Sequence, residues 1–245
     1  MIPDFVSMSC DSNPYYLEFW EPVSRMWARM GVHPHLFFIG DREAAPLNEH
    51  GTVTVVEPVK GIPCHTQAQW ARFFFTKTRP DKLWITSDID MFPLSRKHFV
   101  DSVNHISNDM WLNTNSDEDY FPVCYNYAMG HMYERVLDLP DSFAESVNRV
   151  TNFSKSFDHV VNGKVLSNWA IDENYLSHKV CKFRSAHSDR VLQVRTTDRN
   201  QRRVDRSGWR YDVEKVKSQW YWDSHSLRPY PQYKNEIESL LALVP

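Results

Sequence analysis

Apolar positions along the chain gather into short runs separated by longer stretches in which they recur every three or four residues. From Asp4 to Cys10, Phe5, Val6 and Met8 predict a first strand, ended by the turn-forming sequence Asp11-Ser12-Asn13-Pro14. Tyr16, Trp20, Val23, Trp27 and Met30 then fall at helical spacing, and Gly31 closes that helix. His35 to Ile39 and Thr52 to Val56 predict two more strands. Thr66-Gln67-Ala68-Gln69 has capping-box spacing for a helix with Ala68, Ala71 and Phe75 on one stripe. Leu83 to Ser87 reads as a buried strand that breaks off at two carboxylates, Asp88 and Asp90, with Pro93 just beyond. Ser95 caps a further helix with Phe99, Val100, Val103 and Ile106 inside, Met110 to Leu112 is another strand, and Glu236 to Leu243 closes the chain as a short helix. Short strands alternating with amphipathic helices predict an α/β sheet with helices packed on it, whose ligands gather at the C-terminal ends of the strands. Cys10-Asp11 and Asp88-Asp90 both fall at such ends.

Composition narrows the picture. A chain of 245 residues with 42% hydrophobic and 14% aromatic content suffices for one large domain, 1–245, with its own core. A net charge of −3 lacks the basic footprint of a nucleic-acid or anionic-membrane binder. No apolar run is long enough to span a bilayer and the N-terminus carries no signal-peptide pattern, so the expectation is a soluble, cytoplasmic protein. Cys10, Cys64, Cys124 and Cys181 form no C-x-x-C pair and are expected as reduced, mostly buried thiols. With 7 glycines there is no glycine-rich phosphate loop.

Asp88 and Asp90 share a face if the strand persists through them, and can meet on one cation if it breaks. Two hard oxygen donors suit Mg²⁺ or Mn²⁺, which take their remaining ligands from water and substrate phosphate. The other D-x-D match, Asp117-Glu118-Asp119, lies in a polar run with no strand before it and reads as a solvated loop. Arg72, beside three phenylalanines, either snorkels from an apolar surface or aims its fork at phosphate.

The order of these elements, with Gln69-Trp70-Ala71-Arg72 on a helix and a D-x-D after Leu83 to Ser87, resembles the nucleotide-binding half of GT-A-fold glycosyltransferases, over residues 4–130 most clearly. The resemblance implies a Rossmann-like domain with a central, mostly parallel mixed sheet flanked by helices. Residues 1–130 would bind nucleotide-sugar, and 131–245 the acceptor, closing with a C-terminal loop. It further implies Asp88 and Asp90 on metal and diphosphate, Ser87 beside them, Ser9, Cys10 and Asp11 near the base, and Arg72 near phosphate or donor sugar. Val123 to Gly130 resembles the strand and turn beneath the donor sugar, with Asn126 either on a sugar hydroxyl or an ordinary turn residue among packed aromatics.

Asn168 to Leu176 carries a second acidic pair. Asp172 and Glu173 complement a helix dipole, which alone explains them; the segment also resembles the place where inverting members keep the base, with either acid filling that role. Near the C-terminus, His225 followed by Arg228-Pro229 is similar to the family's third metal ligand and diphosphate contact. The run from Gln193 to Arg210, with Arg195, Arg199, Arg202, Arg203, Arg206 and Arg210, reads as a solvated loop, a cover for the diphosphate, or a docking surface for an anionic acceptor. Together these imply a Mn²⁺- or Mg²⁺-dependent transfer of sugar from a UDP-sugar to a carbohydrate hydroxyl, with inversion as the reading chosen, although retaining members use a similarly placed acidic segment to contact the donor. The partners would be a nucleotide-sugar and a glycan acceptor, with no nucleic acid. The alternatives are a haloacid-dehalogenase-type phosphatase and a non-catalytic carbohydrate-binding module.

Overall fold

The structure, a computed structural model, describes residues 1–47, 49–114, 119–156, 160–161, 164–165, 170–194 and 201–245. The first half runs β1 (Phe5–Asp11), α1 (Pro14–Leu17), α2 (Trp20–Arg29), β2 (His33–Ile39), β3 (Thr52–Val56), α3 (Cys64–Phe74), β4 (Leu83–Thr86), β5 (Met91–Pro93), α4 (Arg96–Phe99) and β6 (Trp111–Asn113). The second runs β7 (Asn126–Met129), α5 (Gly130–Leu137), α6 (Phe143–Ser156), β8 (Val160–Val161), β9 (Lys164–Val165), α7 (Ile171–Ala186), β10 (Val191–Gln193), β11 (Arg203–Asp205), α8 (Val213–Lys217), β12 (Asp223–His225) and α9 (Lys234–Leu241).

Seven strands form the central sheet in the order β10-β6-β7-β4-β1-β2-β3. β1 is parallel to β2 and β4, β2 to β3, and β10 to β6; only β7, between β4 and β6, runs against its neighbours. This is the expected mostly parallel mixed sheet, and its strands β1, β2 and β4 are buried almost throughout because helices cover both faces. Trp27, Trp70, Trp84 and Trp111 are fully buried in its core. Each such side chain is worth roughly 1.5–3 kcal/mol or more of burial.

A second sheet, in the order β11-β12-β5, decides where the chemistry sits. β4 belongs to the large sheet and β5 to the small one, so the residues between them cross from one to the other. β12 pairs antiparallel with β5, with His225 opposite Met91, and the Ser226 N–H donates to the Asp90 carbonyl at 3.1 Å. A residue 135 positions downstream is thereby placed beside Asp90 (His225 against Asp90, by number).

Several local expectations are corrected. The stripe from Tyr16 to Met30 is divided between two helices, because Asn13 caps α1 with Pro14 in its first turn and the helix restarts at Trp20. Gly31 does close α2, at φ +80°. Thr66 lies inside α3, whose N-cap is Pro63, so the capping-box spacing is not used as a cap. Ser95 does cap α4, its hydroxyl accepting from the His98 N–H at 3.2 Å. That helix ends at Phe99, and Val103 is carried by a separate 3-10 turn. All four cysteines are free thiols, with Cys10 and Cys124 buried. Among the described residues no helix is long and apolar enough to cross a membrane.

His35, 5% exposed, gives Nε2 to the Thr54 hydroxyl at 2.8 Å and has no partner for Nδ1. Burial, then the charges of Arg79 and His33, lower its pKa from 6.5 to about 4. The fold holds the ring neutral, whereas the unfolded chain takes up a proton below its ordinary pKa. The stability His35 contributes is therefore full above pH 6.5 and lost as pH falls toward 4. Between pH 6.5 and 5 the loss from this group is expected to be about 2 kcal/mol. Urea unfolding of wild type and His35→Gln at both pH values checks it, the variant showing the smaller acid loss.

Candidate active-site cleft

A cleft of about 260 Å³ opens at the C-terminal ends of β1 and β4. It is lined by Ser9, Cys10 and Asp11 from β1, by Arg72 from α3, by Asp88 and Asp90 after β4, by Asp172 and Glu173 from α7, and by Arg206, His225 and Arg228. Segments far apart in sequence thus meet at one place.

α3 is fixed on β1 by two hydroxyls, Ser7 donating to the Arg72 carbonyl at 2.6 Å and Ser9 to that of Ala68. Arg72 is consequently aimed at the strand ends. It is 6% exposed, so it does not snorkel. Its Nη1 pairs with Asp88 Oδ1 and also donates to the Ser87 carbonyl at 3.3 Å, while Nη2 lies 3.5 Å from Asp172 Oδ2. One guanidinium thus bridges the D-x-D and the α7 acids. Its pKa is raised: burial opposes the charge, but the two carboxylates outweigh it.

β4 ends at Thr86, so strand alternation does not reach the carboxylates; a turn carries them. Asp88 is held by two residues. Besides Arg72, its Oδ2 accepts from the Cys124 thiol at 3.1 Å, and its N–H donates to the same sulfur at 3.3 Å. Asp90, 3% exposed, takes Arg228 at 2.7 Å, Arg206 at 3.2 Å and His225 Nε2 at 3.4 Å, all on Oδ2. Burial would raise its pKa, but the His225 bond and the charges of Arg228, His225 and Arg206 hold it below the usual carboxylate range. His225 Nδ1 faces Asp205 Oδ2 at 3.3 Å. Arg228 also lies over the Tyr16 ring, 4.8 Å from its centroid.

Asp172 and Glu173 open α7. Asp172, 4% exposed, accepts the Glu173 N–H at 2.9 Å; burial pushes its pKa up to about 7 despite Arg72. Glu173 accepts from the Val123 N–H at 3.2 Å and from the Tyr120 hydroxyl, and its pKa is also raised, by burial first.

Two expected site residues do not line the cleft. Asn126 is fully buried and its amide is spent on the fold, donating to the Pro122 carbonyl at 2.8 Å and the Val123 carbonyl at 3.0 Å and accepting from Asn113 at 2.8 Å. Ser87 is likewise buried, its hydroxyl donating to the Asp88 carbonyl at 3.1 Å. Of the other stretches singled out in the sequence, Asn168 and Trp169, Asp117 and Glu118, and Arg195 and Arg199 lie outside the described residues. Within the arginine run, Arg203 is neither cover nor docking surface: it pairs through two bonds of 2.7 and 2.6 Å with buried Asp223, which also accepts from the Tyr125 hydroxyl at 2.7 Å. That network anchors Tyr125 at φ +67°, next to Cys124. Cys124, Asp205 and Tyr16 were not identified from the sequence, since a thiol, an aspartate or a helix-face tyrosine carries no local mark of its distant partner.

By chemistry, the carboxylates of Asp88 and Asp90 with the His225 imidazole are a fitting donor set for a divalent ion of the Mn²⁺ type. They are not drawn tightly together. Among the described residues, three potential ligand atoms lie within 4.8 Å of one another only at Glu21, Glu49 and His50, mostly exposed and away from the cleft. Arg72 holds Asp88 and the Arg206–Arg228 pair holds Asp90, so an incoming cation competes with guanidinium groups.

No family model and no curated protein sequence matches the chain. Solved structures do. The glycosyltransferase GlyE of Streptococcus pneumoniae TIGR4 superimposes with a TM-score of 0.52 at 11% identity, over 100% of this chain and 60% of that one. The chain therefore spans about three fifths of the length of GlyE. An active-site mutant of LgtC superimposes with a TM-score of 0.51 at 13% identity, over 97% of this chain and 94% of that one. At such identities the likeness speaks for architecture alone: the chain shares the fold of these two structures.

Proposed function

We propose that the protein is a metal-dependent glycosyltransferase that moves a sugar from a nucleotide-sugar, a UDP-sugar, to a carbohydrate hydroxyl with inversion. The observation that carries this is the meeting of Asp88, Asp90 and His225 with the Asp172–Glu173 pair across one cleft at the strand ends of a glycosyltransferase fold. Asp88, Asp90 and His225 are the residues that would hold the ion, which when bound offsets charge on the departing diphosphate. Arg228 and Arg206 supply forks suited to the phosphate oxygens. Asp11, at the end of β1, and Tyr16, in α1, are offered for the nucleoside. Arg72, shared by Asp88 and Asp172, keeps the donor side and the proton-accepting side in fixed relation.

Asp172 takes the proton of the acceptor hydroxyl, since its pKa of about 7 matches a base working near neutral pH. Glu173, tied to Tyr120 and the Val123 N–H, orients the start of α7. Asp172→Asn is expected to lower kcat by about 10²- to 10⁴-fold, the usual worth of a positioned base. Glu173→Gln should cost less than about tenfold in the same assay. A reversed ranking assigns the base to Glu173, and equal mild losses return both to dipole complementation.

The haloacid-dehalogenase reading needs the first aspartate free as nucleophile, yet Asp88 is held by Arg72 and Cys124 at the fourth strand. Incubation with a panel of UDP- and GDP-sugars, Mn²⁺ and simple glycans tests the function. The expected results are release of UDP and a product of inverted anomeric configuration by NMR. Phosphate-ester hydrolysis without nucleotide release, or glycan binding without turnover, would overturn the proposal, and a retained anomer would overturn the inversion.

A further inference from the structure

Resting on that reading of the site, we infer that Asp205 is a positioning residue: it fixes the ring of His225 so that Nε2 is the nitrogen offered to the metal. β11 and β12 are parallel, with Asp205 in register with His225, and β12 in turn sets His225 opposite Met91, next to Asp90. The imidazole therefore lies between two carboxylates, Nδ1 at 3.3 Å from Asp205 Oδ2 and Nε2 at 3.4 Å from Asp90 Oδ2. Either carboxylate can accept from the ring; when an ion takes up Asp90, Asp205 is the acceptor that remains, on Nδ1, and Nε2 is turned to the cleft. This is the arrangement by which metal-binding histidines are oriented and made more basic, and removing such outer partners costs 10- to 100-fold in metal affinity or activity.

Asp205 is itself fixed. Its Oδ1 accepts the Ser207 N–H at 2.9 Å and the Ser207 hydroxyl at 2.6 Å, which leaves Oδ2 aimed at the ring. The same turn begins with Arg206, whose Nη1 reaches Asp90 Oδ2 at 3.2 Å. One turn thus addresses both the ligand histidine and the ligand carboxylate, although Asp205 and Arg206 do not enter the donor set. With Asp205 39% exposed at its side chain, loss of its charge leaves little buried structure uncompensated.

The test uses Asp205→Asn, which retains turn-capping ability and removes the charge, with Asp205→Glu as the conservative variant. Mn²⁺ binding in the presence of UDP is followed by the electron paramagnetic resonance signal of free Mn²⁺. The His225 tautomer is read from ¹⁵N shifts of the labelled ring with UDP and diamagnetic Mg²⁺ bound. Expected are a Mn²⁺ dissociation constant raised about tenfold or more in Asp205→Asn and recovered at least in part by Asp205→Glu. Thermal melting of Asp205→Asn should stay close to wild type, and the wild-type ring should carry its hydrogen on Nδ1. Mn²⁺ affinity of Asp205→Asn within twofold of wild type, or a wild-type ring with its hydrogen on Nε2, overturns the positioning role while leaving the metal site standing. Absence of any Mn²⁺ binding by the wild type, with and without UDP, removes the metal reading and the positioning role with it.

Discussion

Asp90→Asn is expected to lower kcat/KM for sugar transfer by about 10³-fold or more, the scale of several kcal/mol of lost charge stabilisation. Asparagine preserves shape and one acceptor oxygen, so the loss reports charge. Asp90 is the point where His225, Arg206 and Arg228 converge, and in the proposed enzyme it is also a metal ligand. Neutralising it weakens the grip on the ion and releases both arginines from their resting position. The fold should survive at a cost of about 1–3 kcal/mol, as for a charged hydrogen bond lost from a buried site, because the side chains of Arg206, His225 and Arg228 are 22–33% exposed and can be hydrated. Calorimetric titration with UDP and Mn²⁺, beside urea unfolding, separates the two effects. Near-wild-type turnover in Asp90→Asn would remove the acid pair from the mechanism.

The second large effect is one of stability. Arg72→Met is expected to destabilise the protein by about 3–5 kcal/mol, the penalty for removing one side of a buried ion pair. Arg72 is almost wholly enclosed and serves Asp88 and Asp172 together, so its loss leaves the buried carboxylate of Asp172 and the half-buried one of Asp88 with no common cation. Part of the strain is relieved by protonating Asp172, whose pKa should rise further above about 7. The destabilisation should therefore be smaller at pH 5.5 than at pH 8, and unfolding in urea at both values checks this. Arg72→Lys should recover only a fraction, since an ammonium is a point charge and lacks the planar fork that addresses two partners at once.

Much of the fold was legible because strands such as β1 and β4 are short, almost wholly buried runs bounded by turn residues. The carboxylates after Ser87 stood out for the same reason. What pattern alone missed is non-local. Arg72 sits on a helix stripe that says which way it faces and nothing of the two acids it meets. For Asn126 the sequence left a sugar contact and a packing role both open, and the structure has its amide, like the Ser87 hydroxyl, bonded to main-chain carbonyls, because nearness in sequence to the cleft does not decide where a side chain enters. The alliance of His225 with Asp90 depends on the pairing of β12 with β5, and no spacing rule announces an antiparallel partner so far along the chain.

The bridging of the two sheets by the turn after β4 has a consequence for biosynthesis. A ribosome that has released only the first two hundred residues has made every strand of the large sheet, yet the acids after Ser87 would lack Arg206, His225 and Arg228. Until β12 docks on β5, Asp90 lacks the three basic side chains that meet it in the folded chain. In the proposed enzyme the metal site is therefore completed by the small sheet, after the large one has its strands.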